Sequence, residues 1–497
     1  MKFSNVVIFR NLGLILQFNG LLYVIPAAFG IFSGEQSSTL GLFMGAFVSL
    51  SLGFALSNVK GEEKADYSSL SILTVVSFLL LGAIGSIPYL YLHEQLYPNL
   101  DLAGKIVSSY FESISGITTT GLTLFSDPSS LPRSIVFYRS LTQWLGGIGI
   151  VFFIVLFLNA PGTYARALEA FAGFARLSPT SRGTFIRITK IYLFYTGLFV
   201  ILLITLGFVN PFAAVNLALA GISTGGFAHT SDLTSDLNIS STSILMILMI
   251  IGATSFPVHE SLWTKKKLGV FSSEFKGFIA YLAITSIILI ALAIGSSITD
   301  LGKLVFHAVS AASTTGFQTA NIGAFDPMTR LILLILMFVG GCSFSTAGGI
   351  RFIRLVVALR SVPWLLRKNV LPITAVVPLR IGKSVIYEGE IAFVFATIFA
   401  GSLSILLSTT ALMATGASFL NSLFEAISAF SNVGLTTGVT SMVMPDFAKT
   451  VLIAEMIIGR VEVIPVLIGA KSLYGYLERT KAASKLQEVS RISSFRR

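Results

Sequence analysis

Cysteine and histidine are scarce in this sequence. Its 497 residues include one cysteine, Cys342, and four histidines, His93, His229, His259 and His307. A single cysteine excludes an intramolecular disulfide framework and a cysteine-based metal site. The histidines lie far apart, and none has the His-Glu-x-x-His spacing of a helical zinc site. A membrane enzyme would cluster such residues near one membrane face, so this composition argues against an enzyme.

Charged residues are few as well. They make up 11% of the chain, whereas soluble domains average roughly 25%. Hydrophobic residues make up 54%, and the mean hydropathy is +0.83. The composition predicts a polytopic protein of the cell membrane, surrounded by the lipid bilayer. The first apolar stretch lacks a small-residue cleavage site and is long enough to span, so we expect no signal peptide.

The lengths of the apolar segments predict ten spans and four shorter helices. A span needs about 20 apolar residues, whereas 10–14 residues are typical of a re-entrant helix. The ten long segments are 11–32, 39–59, 70–92, 134–159, 188–209, 243–262, 277–298, 331–350, 391–414 and 450–470. The short helices are predicted at 102–117, 211–222, 301–313 and 418–431. They lie between spans three and four, five and six, seven and eight, and nine and ten.

The distribution of lysine and arginine predicts the orientation. Most of the 34 basic residues fall in the termini and in alternate loops, and such loops are cytoplasmic. Both termini are therefore expected inside, and the short helices enter from outside. The net charge of +11 is explained by this asymmetry, so nucleic-acid binding is not expected. Outer-loop carboxylates such as Asp232 would raise the local cation concentration, or would simply be solvated surface groups.

Four related segments recur at long spacing. Each has a polar residue nine positions before a glycine, and the first reads Glu-Ser-Ile-Ser-Gly-Ile-Thr-Thr-Thr-Gly. The segments are 112–121, 216–225, 307–316 and 425–434, and their polar residues are Glu112, Asn216, His307 and Glu425. Each short helix runs into one of these glycines. The repeating unit is therefore a span, a short helix, a glycine turn and a second span.

The glycine turns predict a cation pathway. Non-helical backbone at membrane depth is tolerated where it is buried in protein or lines a water-filled cavity. Glycine permits positive φ, which turns neighbouring carbonyls toward an axis, and rings of carbonyls replace the hydration shell of a monovalent cation. Helix C-termini pointing inward would favour a cation further. The alternative is that the glycines only allow close helix packing. The four polar residues Glu112, Asn216, His307 and Glu425 are expected to support the turns, and the two glutamates to be buried there rather than to be ion ligands.

Two later spans carry unusual residues. The segment Gly340–Gly349 is so rich in glycine and serine that its helix should break, either as a movable plug below the turns or as a simple kink. Arg460 lies within the last span, where an arginine costs about 2.5–3.5 kcal/mol on insertion scales. It is either a fixed positive charge in the ion path or the partner of Glu455 or Glu462.

These motifs resemble the Trk/Ktr/HKT superfamily of potassium transporters, most closely its TrkH-type members. Besides the four turns, the resemblance includes Ser140–Gly149, Ser255–His259, Cys342–Gly349 and Gly459–Glu462. It implies an all-α polytopic fold with four membrane–pore-loop–membrane repeats in fourfold pseudosymmetry around one pore, plus two extra N-terminal helices. The implied units are 1–66 (extra helices), 67–165, 166–268, 269–368 (with a broken second helix), 369–480, and a basic cytoplasmic tail at 481–497.

The resemblance also implies the site residues. The potassium ligands would be the carbonyls of Thr119, Thr120, Gly121, Ser223, Thr224, Gly225, Thr314, Thr315, Gly316, Asn432, Val433 and Gly434. The gate would comprise Gly341, Ser343, Ser345, Thr346, Gly348, Gly349 and Arg460. Glycine at position 121 favours potassium over sodium.

Partners follow from the same resemblance. It implies a homodimer on a cytoplasmic ring of nucleotide-binding regulatory subunits of the TrkA type. We expect no dinucleotide-binding unit in the chain itself, because Gly146–Gly149 lies in an apolar helix. No organic cofactor is expected on the chain. The resemblance implies that potassium is the transported ion. The basic loops at 263–276 and 351–383 would be the docking surface, or would serve only as topology determinants. The alternative function is sodium- or proton-coupled potassium symport, for which the sequence shows no clear ionisable residue facing the pore.

Overall fold

A computed structural model of the chain describes residues 5–60, 66–157, 181–264, 273–293, 300–372, 377–382 and 384–475. The predicted tail at 481–497 and the predicted boundaries at 165/166, 268/269 and 480/481 lie outside these residues. The first helices are α1 (Asn5–Phe32), α2 (Gln36–Ser57), α3 (Tyr67–Gly85), α4 (Ile87–Tyr91), α5 (His93–Leu96), α6 (Leu102–Ile117), α7 (Arg133–Phe157), α8 (Ser181–Thr205) and α9 (Pro211–Ile222). They are followed by α10 (Ile239–Gly252), α11 (Phe256–Thr264), α12 (Ser273–Ala293), α13 (Leu301–Ala312), α14 (Pro327–Val339), α15 (Phe352–Val370), α16 (Glu388–Met413), α17 (Phe419–Phe430) and α18 (Asp446–Val461), and by α19 (Val463–Gly475).

The described part of the chain is almost entirely helical, as predicted for a polytopic membrane protein. Six of its helices are long and apolar enough to cross a membrane by length and composition: α1, α2, α3 with its extension α4, α8, α12 and α16. One small element was not predicted. Strands β1 (Leu379–Ile381) and β2 (Ser384–Ile386) pair antiparallel in a short hairpin ahead of α16.

The first two helices form a close hairpin. Gly13 of α1 lies against the backbone of Gly53 and Ser57 of α2, so that a side chain at this position would meet those atoms. Small residues permit such close approach of helices in membranes. A buried hydrogen bond from Asn19 to Ser49 adds a polar link between the two helices.

The four short helices have the bounds that the sequence predicts to within one residue. Three of them begin at a side-chain cap, in which Asp101, Asn210 or Asp300 accepts a hydrogen bond from a backbone N–H of the first turn. Such caps satisfy N–H groups that have no partner within the helix. Each short helix packs against a longer helix that follows it in the chain: α6 on α7, α9 on α10, α13 on α14, and α17 on α18.

Three of these four following helices are broken, and two of the breaks contradict the prediction of single straight spans. The span predicted at 243–262 is two helices, α10 and α11, which meet at an angle of 101°. The span predicted at 450–470 is interrupted at Glu462, which has a φ of 70°. The break after Val339 was predicted, and residues 340–351 form no helix there. The first of the four, α7, is continuous from Arg133 to Phe157.

Candidate functional site

The four segments that follow the short helices share one backbone conformation. Each helix ends at a serine or threonine, and the next residue adopts the left-handed region. These residues are Thr119 (φ 55°), Thr224 (φ 51°), Thr314 (φ 55°) and Asn432 (φ 51°). Two residues later a glycine has a φ of 77–94°: Gly121, Gly226, Gly316 and Gly434. Since glycine adopts this region without strain, the recurring glycine has a conformational reason.

The second turn lies one residue later than the sequence comparison places it. Its left-handed glycine is Gly226, not Gly225, and Ser223 ends the helix, as Thr118 does in the first turn. The hydrogen bonds agree: Thr224 N donates to Gly221 O, and Thr119 N donates to Gly116 O. The residues equivalent to Thr119, Thr120 and Gly121 are therefore Thr224, Gly225 and Gly226.

The four turns close into a ring. A Cβ atom added to Gly121 would overlap the carbonyl oxygen of Gly225, and one added to Gly226 would overlap that of Thr315. In the same way, Gly316 faces the carbonyl oxygen of Val433, and Gly434 faces that of Thr120. Each glycine thus contacts the carbonyl of the next turn, and the fourth turn returns to the first. The ring brings the C-terminal ends of four short helices together, which favours a cation at its centre.

A buried glutamate supports the first turn. Glu112 Oε1 accepts hydrogen bonds from the backbone N–H of Leu124 and from the hydroxyl of Thr123. Its second oxygen lies 3.2 Å from Nη2 of Arg139, and both side chains are almost fully buried. The Arg139 guanidinium also lies 4.1 Å from the ring centre of Phe227, beside the second turn. The pair therefore joins two neighbouring turns.

The third and fourth turns have equivalent supports. Glu425 accepts a hydrogen bond from Thr437 N at 2.9 Å, and its other oxygen accepts from the Thr440 hydroxyl at 2.7 Å. His307 accepts from Thr319 N at Nε2, at 3.3 Å, while its Nδ1 contacts Lys303 O. Like Leu124, the two backbone donors lie three residues after the glycine. Glu112, His307 and Glu425 thus each accept a hydrogen bond from the backbone N–H three residues after the glycine of their own turn.

Asn216 does not have this role in the second turn. Its amide donates to Phe212 O within its own helix, and the one-residue shift places Leu217 at the position of Glu112. The second turn is held instead by Gln143 of α7, whose amide donates to Gly225 O and accepts from Phe227 N. Sequence comparison of the repeats missed Gln143 because it comes from another repeat.

A vestibule lies on one side of the ring. Its volume is about 770 Å³, and all four left-handed glycines line it together with Arg139 and Asp232. The hydrogen bond from the Thr234 hydroxyl to Asp232 lowers the pKa of this exposed carboxyl below its ordinary value. Asp232 is therefore ionised at neutral pH, and it places negative charge at the wall of the vestibule, which attracts cations.

The non-helical segment 340–351 lies on the opposite side of the ring. Thr346 attaches this segment to the second repeat, because its hydroxyl lies 3.0 Å from Ile222 O and 2.9 Å from Gly252 O. Gly348 N donates to the hydroxyl of Thr314 in the third turn, at 2.8 Å. The other residues of the predicted gate are bound nearby: Gly341 O accepts from Phe352 N, Ser343 N donates to Glu274, the Ser345 hydroxyl donates to Cys342 O, and Gly349 has a φ of 77°.

Arg460 crosses beneath the ring. Its guanidinium donates to Thr346 O at 2.9 Å and to Gly146 O at 3.0 Å, and the residue is 3% exposed. It therefore links α18 to the non-helical segment and to α7. In the described part of the chain, Glu455 accepts from two serines, and Glu462 pairs with Arg351 and Arg354. The alternative that Arg460 pairs with Glu455 or Glu462 is not what the structure shows.

Three glycines beneath the ring allow the long helices to approach the ends of the short helices closely. A Cβ atom at Gly146, Gly252 or Gly459 would meet the carbonyl oxygen of Ile117, Ile222 or Phe430, the last residue of the preceding short helix. Helices α10 and α18 end within two residues of this contact. Glycine is required there because backbone meets backbone.

The chemistry available is that of backbone oxygens. Within the described residues no group of three or more His, Cys, Asp or Glu side chains could hold a metal ion. The ring instead presents carbonyls at the ends of four helices, with a vestibule on one side and a buried arginine on the other. Such an arrangement suits a weakly held monovalent cation rather than a fixed metal.

Comparisons with known proteins agree with this geometry. The model of the TrkH family, described as cation transport proteins, matches residues 43–301 and 293–474. An uncharacterized cation transporter of Methanocaldococcus jannaschii is 31% identical over 468 residues, which are 94% of this chain and 95% of that protein. The Trk system potassium uptake protein TrkH of Salmonella typhimurium is 30% identical over 440 residues, which are 85% and 89% of the two chains.

A solved structure supports the same assignment. The crystal structure of the potassium transporter TrkH from Vibrio parahaemolyticus matches with a TM-score of 0.82 at 26% identity, covering 93% of this chain and 98% of that one. The family match and the fold identify a multi-pass membrane transporter rather than an enzyme. The chain belongs to the TrkH family of cation transport proteins.

Proposed function

We propose that this chain carries potassium into the cell through the ring of four turns. The observation that supports this most directly is the closed contact of each left-handed glycine with a carbonyl of the next turn. The proposed ligands are carbonyl oxygens of residues 119–121, 224–226, 314–316 and 432–434. Carbonyls compensate for lost hydration without holding the ion permanently. The names of the relatives from Salmonella typhimurium and Vibrio parahaemolyticus agree with potassium as the ion.

Segment 340–351 and Arg460 form the proposed gate. The segment obstructs the side of the ring opposite the vestibule, and the arginine places a positive charge there. Both are held by hydrogen bonds to backbone carbonyls of the repeats, which a rearrangement of the segment would release. Conduction would therefore require the hydrogen bonds of Thr346 and Arg460 to break together.

The proposed partners act from the cytoplasmic side. The chain would form a homodimer, and a nucleotide-binding regulatory ring of the TrkA type would dock on basic loops, of which the structure describes α15 with Arg360, Arg367 and Lys368. Both termini are proposed to be cytoplasmic.

The test is ion flux into proteoliposomes that contain the chain alone. We expect uptake of potassium and rubidium with little sodium or lithium. The change Gly121→Ser should relax this selectivity, because its side chain would enter the contact with Gly225 O. Gly34→Ser is the matched control: Gly34 also has a positive φ, 73°, but no neighbouring atom lies within 4 Å of an added Cβ. Equal sodium and potassium flux, unchanged by Gly121→Ser, would contradict the proposal.

A further inference from the structure

One buried carboxylate lies between two membrane helices and takes no part in the ring or the gate. Glu455 of α18 is 2% exposed. Its Oε2 accepts hydrogen bonds from the hydroxyls of Ser404 and Ser408 on α16, both at 2.8 Å. Its Oε1 has no hydrogen-bond partner among the described residues. The three side chains form a small polar site within otherwise apolar helices.

Glu455 differs from the other buried glutamates at membrane depth. Glu112 has Arg139 as a counter-ion, and Glu425 accepts hydrogen bonds at both oxygens. Glu455 has neither a cation nor a donor for its second oxygen in the described part of the chain. An ionised oxygen without a donor is much less stable in an apolar environment than a neutral hydroxyl.

Charged groups on the neighbouring helices are bound elsewhere. Among the described residues, the hydrogen-bond donors to the Glu455 carboxyl are the two serine hydroxyls. The charged residues of the helices packed on α16 and α18 have these contacts: Lys105 with Glu94, Glu112 with Arg139, Arg354 with Glu462, Arg360 with Arg380 O, Lys368 with Glu388, Glu390 with Tyr387 N, Glu425 with Thr437, Lys449 with Asp446 and Ser108, and Arg460 with Thr346 O and Gly146 O. Arg367 lies in the last turn of α15, at the cytoplasmic end, and Asp66 caps α3 at the same end.

We propose that Glu455, Ser404 and Ser408 form a proton-binding site within the membrane, and that its occupancy is linked to ion passage. With the proton bound, the carboxyl is neutral, and two hydrogen bonds hold α18 against α16. When the O–H bond breaks, the proton passes to water and a carboxylate remains. That charge needs a donor or water at Oε1, so α16 and α18 must separate to admit one.

The link to ion passage runs along α18. This helix also carries Gly459, which contacts Phe430 O beneath the ring, and Arg460, which holds the proposed gate. A displacement of α18 relative to α16 therefore changes the position of both residues. The site thereby supplies the intramembrane ionisable group that ion-coupled transport requires.

Infrared spectroscopy tests the binding site directly, because a protonated carboxylic acid has a carbonyl stretch distinct from that of a carboxylate. The wild-type minus Glu455→Gln spectrum of the reconstituted protein should contain this band at neutral pH and lose it at alkaline pH. Ser408→Ala should shift the band, since one hydroxyl donor is lost. Glu390→Gln is the control: Glu390 is also buried on α16 but accepts a backbone N–H, and its removal should leave the band unchanged.

Two outcomes would overturn the proton site. One is a difference spectrum without the protonated-acid band at neutral pH. The other is a band that disappears when sodium is added at constant pH, which would mean that a metal cation takes this place. Neither result depends on whether the chain transports potassium.

Flux measurements test the link, which rests on the proposed transport function. Potassium uptake by the wild type should change over the pH range in which the infrared band disappears, and uptake by Glu455→Gln should stay constant over that range. If the variant follows the wild-type pH profile, occupancy and ion passage are not linked. Absence of potassium uptake in every variant would instead count against the transport function.

Discussion

At the scale of single residues, the four left-handed glycines are not interchangeable with other glycines of the chain. Gly226 has a positive φ, and the carbonyl oxygen of Thr315 in the next turn occupies the space that a side chain at this position would need. Gly416 has a positive φ of 94° with open space around it. Glycine is therefore needed at position 226 both for its backbone conformation and for lack of space, whereas at position 416 it is needed only for its backbone conformation.

This difference predicts the effect of alanine. Gly226→Ala should lower potassium uptake strongly and reduce the preference over sodium, because the ring must widen between the second and third turns. Gly416→Ala should cost about 1–2 kcal/mol of backbone strain and leave selectivity unchanged. Ion flux in proteoliposomes measures both variants. Unchanged selectivity in Gly226→Ala would refute the shifted register of the second turn.

The register itself shows what the sequence could and could not predict. The recurrence of short polar residues before glycine located all four turns. In the second turn, however, two glycines are adjacent, and Asn216 stands nine residues before the first of them, so the pattern favoured Gly225. The hydrogen bonds that end the helix at Ser223 set the register of the turn, and only the three-dimensional structure shows them. Gln143 was missed for the same reason, since its contact joins residues far apart in sequence.

The buried pair of Glu112 and Arg139 leads to a stability prediction. Glu112→Gln leaves the Arg139 charge buried without its counter-ion, and breaking a buried pair in this way costs about 3–5 kcal/mol. Glu425→Gln is the matched control, because no cation contacts Glu425 in the described residues. We expect a clearly lower thermal unfolding midpoint in detergent for Glu112→Gln than for Glu425→Gln. Equal midpoints would mean that the ion pair contributes little.

At the scale of elements, the breaks in the long helices follow from the turns above them. Each long helix beneath the ring must approach a short helix closely, and glycine permits this. The run from Gly340 to Gly349 made one break predictable from composition. The breaks after Gly252 and at Glu462 also had a sequence signal that the predicted spans did not use. Pro257 and Pro465 lie within those spans, and proline in a helix interior removes a backbone hydrogen bond and kinks or breaks the helix. At Glu462, salt bridges to Arg351 and Arg354 stabilise the left-handed conformation.

The hydrogen bonds of segment 340–351 predict how to loosen it. Thr346→Val keeps the volume of the side chain but removes the hydroxyl, whose single proton is shared between Ile222 O and Gly252 O; the loss of this hydrogen bond costs about 0.5–1.5 kcal/mol. We expect severalfold higher potassium flux from the chain alone. Thr410→Val is the control, since that hydroxyl bonds within its own helix on an exposed face.

Cys342 gives an independent measure of the same movement. It is the single cysteine of the chain, it lies in segment 340–351, and it is 1% exposed. Its modification by a water-soluble thiol reagent should be slow in the wild type and faster in Thr346→Val. Equal reaction rates, together with equal flux, would show that the Thr346 hydroxyl does not hold the segment.

At the scale of the whole molecule, different elements meet at the two ends of the helix bundle. The loop between α1 and α2 lies beside the start of α7, where Glu35 accepts hydrogen bonds from Arg133 N and Ser134 N. The basic helix α15 has its partners at the opposite end, near Glu388 and Glu462. The loop at Ser33 and the loop at Asn58, joined by the single helix α2, therefore lie on opposite sides.

The proposed orientation can be tested in whole cells. In a Cys342→Ser background, Ser33→Cys should react with a membrane-impermeant thiol reagent added outside. Asn58→Cys should react only after the membrane is permeabilised. Both positions are exposed at the ends of α2, so accessibility to reagent is comparable. The reverse pattern would place the vestibule on the cytoplasmic side.

The ring is built by one polypeptide, and this has a consequence for how it evolves. In a pore made of four identical subunits, every substitution appears four times and changes all quadrants at once. Here a substitution changes one quadrant, and its direct contact is with the neighbouring turn alone, as Gly121 contacts Gly225. Ion preference can therefore change through substitutions in one turn at a time, and a substitution in the neighbouring turn can compensate for each. Asn432 and Val433 already differ from the Thr-Thr of the first and third turns, so the four quadrants of this ring are not identical.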